Sequence, residues 1–183
     1  ISTVSNHTGP AKEPEDNRFG FLSSGSLREY SDFSKTGAGW VRPYPGPFIW
    51  GKMQKGEEEK VSFSETDKTI IAASNNNLSV LATLWSYADW DLRAKPNIYT
   101  CEVTKDQFEL ELGRYRCNPF NTTLYEEWVA QTVERYDGDG IEDMPNLPLK
   151  IKHWEILSEP DLEQFYIDKA RGYSSLLGIT YEA

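Results

Sequence analysis

The chain has 183 residues, is 38% hydrophobic and 13% aromatic, and carries a formal net charge of -10 at pH 7. That is enough apolar side chain for one buried core, so the chain reads as globular. The acidic balance argues against a nucleic-acid partner, which needs a basic face, and no run of about 18 apolar residues is present to span a membrane.

Residues 1–17 are polar, contain Pro10 and Pro14 and show no period, which reads as a flexible N-terminal arm ahead of a domain over residues 18–183. The first residue is Ile1, with no charged and apolar leader ahead of it, so the expected state is a chain whose signal peptide has been removed. Phe19–Ser23 is a strand candidate. Ser26-x-x-Glu29 reads as a capping box for a helix with Leu27, Tyr30 and Phe33 on one face, ended at Gly37-Ala-Gly39. Trp40-Val-Arg-Pro43 is a second strand and leads into a loop rich in proline and aromatics. Ser64-x-x-Asp67 offers a cap to a helix stopped by Asn75–Asn77, and Ser79–Trp85 is a near-continuous apolar strand of the kind found in parallel sheets. A long loop over residues 86–121 follows; Thr123-x-x-Glu126 then opens a helix in which Tyr125, Trp128, Val129, Thr132, Val133 and Tyr136 recur at helical spacing. After Asp137-Gly-Asp-Gly140 comes a strand over Lys150–Glu159, stopped by Pro160, and a last helix with Tyr173, Leu176, Leu177 and Thr180 on one face. Strand and helix alternate four times, which means an α/β architecture with parallel pairing.

The two cysteines, Cys101 and Cys117, lie 16 residues apart in the long loop with no histidine near, a better fit to an intra-loop disulfide than to zinc. Asn6, Asn77 and Asn121 begin Asn-x-Ser/Thr sequons, which together with a disulfide fit a secreted or extracellular chain. Several chemistries have no motif here. There is no Gly-x-Ser-x-Gly elbow and no Gly-x-Gly-x-x-Gly turn after the first strand. His7 and His153 have no second histidine at ligand spacing, and Asp137-Gly-Asp-Gly fails the calcium-loop pattern because Arg135 and Asn146 fall at ligand positions. No metal site and no cofactor are expected.

The strand ending at Glu159 carries the most specific signal. Trp154-Glu-Ile-Leu-Ser-Glu-Pro-Asp161 resembles the Trp-Glu-Ile-x-Asn-Glu-Pro-Asp segment at the end of strand 4 in clan A glycoside hydrolases, retaining (β/α)8-barrel enzymes, and is most similar to the family 39 xylosidase and iduronidase-like members. The resemblance implies a TIM barrel of which residues 18–183 supply about the first four β/α units, since a whole barrel takes about 250 residues. It implies Glu159 as general acid/base, Ser158 in the place of the asparagine that touches the sugar 2-hydroxyl, and Arg42 as the arginine that orients the nucleophile. Arg42 has an alternative reading as an interior ion pair with Glu155, and the two can coexist. Retaining hydrolysis needs two carboxyl groups about 5–5.5 Å apart. The second belongs to strand 7 of the family, which this chain does not reach. Inactivity as an isolated chain, and completion by the remaining half of the barrel in the same or another chain, are therefore expected.

Sugars present apolar C–H faces edged by hydroxyls, so Tyr44, Trp50, Trp85 and Trp90, near predicted strand ends, are candidate platforms, Trp85 first. Asp89 and Asp91 are candidates for binding hydroxyls. The function expected from the resemblance is a retaining glycosidase in carbohydrate metabolism acting on a β-linked oligo- or polysaccharide. The rival readings are a non-catalytic carbohydrate-binding barrel and an inactive half barrel that associates through its open strand edges.

Overall fold

A computed structural model describes residues 17–103 and 112–183. The arm read over residues 1–17, apart from Asn17, lies outside the described residues, as do His7 and the Asn6 sequon. Four strands, β1 (Gly20–Ser23), β2 (Trp40–Pro43), β3 (Ser79–Leu84) and β4 (His153–Ile156), form one sheet in that order with every neighbouring pair parallel. The α/β architecture read from the alternation is therefore the observed one. The main helices are α1 (Glu29–Lys35), α3 (Ser64–Asn75), α5 (Thr122–Asp137) and α6 (Lys169–Glu182), with single turns α2 (Trp50–Met53) and α4 (Asp89–Leu92) in the loops after β2 and β3.

The helices lie where the periodicity predicts, but their caps do not. Glu29 makes no capping box; its carboxylate accepts from the Ser24 N–H at 2.9 Å and from the Ser23 hydroxyl at 3.1 Å, tying the β1–α1 turn instead. These bonds hold its carboxyl below the usual range, those to Ser24 contributing most. At α3 the cap is Phe63, without a side-chain bond, and Asp67 turns away to Arg135, at 2.9 and 2.7 Å, and to the Tyr136 hydroxyl. At α5 the cap sits two residues before Thr123: the Asn121 side chain accepts from the Leu124 N–H at 3.2 Å. In the first two cases a carboxylate found a better partner through the tertiary fold, which sequence spacing cannot anticipate.

Side-chain alternation divides the sheet into two unlike faces. Val41, Val80, Ala82 and Leu84 face the helices and are buried with Tyr125, Trp128, Val129 and Tyr136 of α5. Trp40, Arg42, Thr83, His153 and Glu155 make contact with one another across the other face, and Leu22 there is 58% exposed. Parallel sheets ordinarily bury both faces. Beyond β3 the chain continues the parallel pairing, with Trp85 N–H bonding Phe48 O at 2.9 Å and Gly51 N–H bonding Tyr87 O at 2.8 Å. Gly51 is required there: a Cβ would lie 2.8 Å from Ala88 Cα and 2.9 Å from Tyr87 O.

Five tyrosines, Tyr30, Tyr87, Tyr125, Tyr136 and Tyr166, are buried in this packing. Burial pushes all five hydroxyls above the ordinary 10.0, that of Tyr30 to about 12. The unfolded chain releases these protons near pH 10 while the folded chain keeps them. Stability is therefore intact below pH 10 and falls above it, by up to about 1.4 kcal/mol per pH unit for each tyrosine. Urea midpoints at pH 8, 10 and 11 should decline steeply over the last interval; a flat profile would show that these rings are not held as described.

Candidate active site at the end of the fourth strand

The β4 strand ends three residues before Glu159, earlier than Pro160 alone would impose. Leu157 still donates to Leu84 O at 3.0 Å, but its φ of 58° and the φ of 47° at Glu159 turn the chain out of the sheet on either side of Ser158. Non-glycine residues held in this left-handed region cost on the order of ~1–3 kcal/mol each and cluster at functional sites. The bend leaves Ser158 buried and Glu159 exposed at the C-terminal end of the sheet. From α6 the Tyr173 hydroxyl donates to Ile156 O at 2.8 Å and fixes the backbone just before the bend.

Beneath the bend lies a charged triad. Arg42 donates from Nε at 2.8 Å and from Nη2 at 2.5 Å to Glu155 Oε2, which also accepts from the Thr83 hydroxyl at 2.7 Å. The pair is partly screened, with side-chain exposures of 20% and 34%. The interior ion pair is therefore one role of Arg42. Removing a single partner strands a half-buried charge, so Arg42→Met and Glu155→Gln should each destabilise the chain by about 1–3 kcal/mol, and the double substitution by less than their sum. Additive losses in a double-mutant cycle would mean that the pair contributes nothing as a pair. Thr83 is not singled out by the sequence reading; its signal is a hydroxyl inside the otherwise apolar run over residues 80–84.

Tyr44 links this triad to Ser158 and Glu159. The Arg42 guanidinium lies 5.1 Å from its ring centroid, and its hydroxyl lies near Ser158. Burial and the negative charge of Glu159 push that hydroxyl upward. The Tyr44–Pro45 peptide is cis. Tyr44 is half-buried, whereas Trp85 is fully buried, with its ring 6.0 Å from Tyr44 and its indole N–H donating to Pro45 O at 2.7 Å. Trp85 is thus a core ring supporting Tyr44 from behind and offers no open face for a sugar. Trp50 is equally buried, and Trp90, half-buried, packs on it at 5.0 Å and donates to Gln54 O. Among the four aromatic candidates, packing leaves Tyr44 beside the acid.

The two aspartates read as hydroxyl ligands organise backbone. Asp91, 3% exposed, accepts from the Phe120 and Asn121 N–H groups at 2.7 and 2.9 Å, and burial raises its carboxyl. Asp89 accepts from the Arg114 and Tyr115 N–H groups at 3.0 and 3.3 Å. Cys101 and Cys117 form a disulfide in the same loop. Arg116, beside it, is 2% exposed and bonds the Gln164 carbonyl, while its own carbonyl accepts from the Ile167 N–H at 3.0 Å. The long loop after β3 therefore holds the loop that follows Glu159. Asp137, Asp139 and Asp143 bring ligand atoms within 4.8 Å of one another, and all three accept from N–H groups of their own turn. Asn77 is exposed, while the Asn121 side chain is committed to its helix cap. Among the described residues no helix is long and apolar enough to cross a membrane.

No protein-family model and no curated protein matches the chain. Among solved structures it is similar to the β-galactosidase from the psychrophilic Marinomonas ef1, with 12% identity and a TM-score of 0.46 over 75% of this chain and 20% of that one. The chain thus corresponds to about a fifth of that protein's length.

Proposed function

We propose that this chain is the N-terminal half of a TIM-barrel glycosidase of the clan A type, secreted, and acting with retention on a β-linked oligo- or polysaccharide. The observation that carries the reading is the bend at β4, which sets Glu159 at the C-terminal end of a parallel sheet beside Ser158 and Tyr44. In such folds the chemistry sits at that end because loops there vary while the sheet stays still. Glu159 protonates the glycosidic oxygen and then activates water. Ser158 and Tyr44 contact sugar hydroxyls, and Arg42, whose Nη1 is not used by the Glu155 fork, turns toward the nucleophile supplied by the rest of the barrel. Trp90, half-buried on the turn after β3, is the remaining aromatic candidate for the sugar. Further barrel units would cover the open sheet face on which Leu22, His153 and the triad lie. The disulfide is consistent with an extracellular site of action.

The test is hydrolysis of aryl β-glycosides and β-linked disaccharides by the barrel completed with its remaining half, with Glu159 intact or replaced by Gln. Loss of turnover with retained sugar binding supports the reading. Sugar binding with no turnover in either form would favour a carbohydrate-binding barrel.

A further inference from the structure

Glu159 is placed by its backbone. Its side chain is exposed, and no hydrogen bond reaches its carboxylate among the described residues. Two turns tie that backbone to Phe165: the Leu162 N–H donates to Glu159 O at 3.0 Å, and Leu162 O accepts from the Phe165 and Tyr166 N–H groups, both at 2.9 Å. Phe165 is buried, with its ring 6.5 Å from Tyr44 and 6.3 Å from Trp85. Where Phe165 sits therefore decides where Glu159 sits.

Two buried side chains from the segment after β3 grip this loop from behind. The Tyr87 hydroxyl donates to Phe165 O and Arg116 Nη1 donates to Gln164 O, so consecutive carbonyls are taken by donors from outside the loop. Both donors are themselves fixed. Tyr87 O accepts from the Gly51 N–H at 2.8 Å, and Arg116 donates from Nε to Gly113 O at 3.3 Å and from its main chain to Cys101 O at 2.9 Å. Burial holds the Tyr87 hydroxyl well above its ordinary 10.0, so it stays a donor at neutral pH. Burying a guanidinium is costly, and a loop whose only task was to join β4 to α6 could be closed by its own turns. A general acid needs more: its carboxyl must come within about 2.6–3.2 Å of the oxygen it protonates, and a misplacement of about 1 Å can cost about 10²-fold.

We infer that Tyr87 and Arg116 are positioning residues for the acid/base: by holding the Phe165 and Gln164 carbonyls they set the place of Glu159 at the strand tip, and they act on proton transfer to the leaving group rather than on sugar binding. In that step the Glu159 carboxyl gives its proton to the glycosidic oxygen as the C–O bond breaks, and the nucleophilic carboxylate of the remaining half bonds to the anomeric carbon. The inference rests on the reading of Glu159 as general acid/base.

Its test compares kcat/KM for dinitrophenyl, phenyl and methyl β-glycosides of glucose, galactose, mannose and xylose in the barrel completed by its remaining half. Dinitrophenolate leaves without a proton, so a misplaced acid costs only the poor leaving groups. Tyr87→Phe and Arg116→Met should each lower kcat/KM for the methyl glycoside by about tenfold or more, and for the dinitrophenyl glycoside by less than about twofold. In a Glu159→Gln background either should add less than about twofold, because the group they place is gone. Arg116→Lys, which keeps a cationic donor, should recover part of the loss. In the isolated chain, amide exchange at Phe165, whose N–H closes the second turn, should quicken by about tenfold in Tyr87→Phe. Tyr87→Phe removes one oxygen and keeps the ring, and it decides the matter alone if Arg116→Met does not fold. Equal losses for every leaving group, losses that add fully to that of Glu159→Gln, no loss, or an unchanged exchange rate overturn the inference and leave the Glu159 reading standing. Absence of turnover, or a Glu159→Gln protein with no leaving-group dependence of its own, overturns the reading beneath it.

Discussion

In the barrel completed by its remaining half, Glu159→Gln is expected to lower turnover of an unactivated β-glycoside by about 10²–10⁴-fold, the usual contribution of a positioned general acid/base. Gln keeps the volume and the hydrogen-bonding edge of the side chain and removes the proton it would deliver, so affinity for the sugar should change little. The loss should be smallest for substrates whose leaving group needs no protonation, because the first step then proceeds without the acid. Kinetics against leaving-group acidity therefore check the role as well as the residue. Unimpaired turnover in the Gln variant would remove Glu159 from the mechanism, and with it the assignment of this end of the sheet as the active site. The left-handed backbone at Leu157 and Glu159 bears on the same question. A bend imposed at an energetic cost, flanking a buried serine and ending in an exposed carboxyl, is what a strand tip looks like when positioning outranks regularity.

The second large effect expected is on stability. Replacing Cys101 and Cys117 together by Ser opens a closed loop in which the cysteines are separated by 16 residues, and loop entropy of that size corresponds to about 3 kcal/mol. For a chain of this length that is a fall in Tm of about 6–12 °C. The consequence reaches past the loop itself. Arg116 and Asn118, on either side of Cys117, bond the segment after Glu159: the Asn118 N–H donates to Asp168 at 2.7 Å, its side chain to Gly172 O at 2.9 Å, and the Tyr166 hydroxyl bonds the Asn118 side chain. Amide exchange at Ile167, whose N–H bonds Arg116 O, should quicken on reduction before the helices open. A double-serine protein with unchanged Tm would mean that the hydrogen bonds alone hold this loop.

Much of this protein could be read without coordinates. The alternation of strand and helix, the buried stripe Tyr125, Trp128, Val129, Thr132 and Tyr136 on α5, and the pairing of the two cysteines follow from residue type and spacing, because the hydrophobic effect acts on periodic patterns and a loop disulfide needs only proximity in sequence. The segment around Glu159 was legible for the same local reason, a short apolar strand running into Ser-Glu-Pro. What spacing could not supply is competition between distant partners. Glu29 and Asp67 have the sequence offsets of helix caps, yet one binds the β1–α1 turn and the other binds Arg135 and Tyr136 some 68 and 69 residues away. Trp85 and Tyr44 are both aromatic residues near strand ends, but packing buries one completely and leaves the other half-open beside Ser158. The charge of Arg42 is plain in the sequence, while its neutralisation by Glu155 and Thr83 depends on three parallel strands coming into register. Local composition decides which segments become strands and helices; which polar groups meet is decided by the free energy of leaving them unmet in the folded interior, a quantity that exists only once the chain has closed on itself.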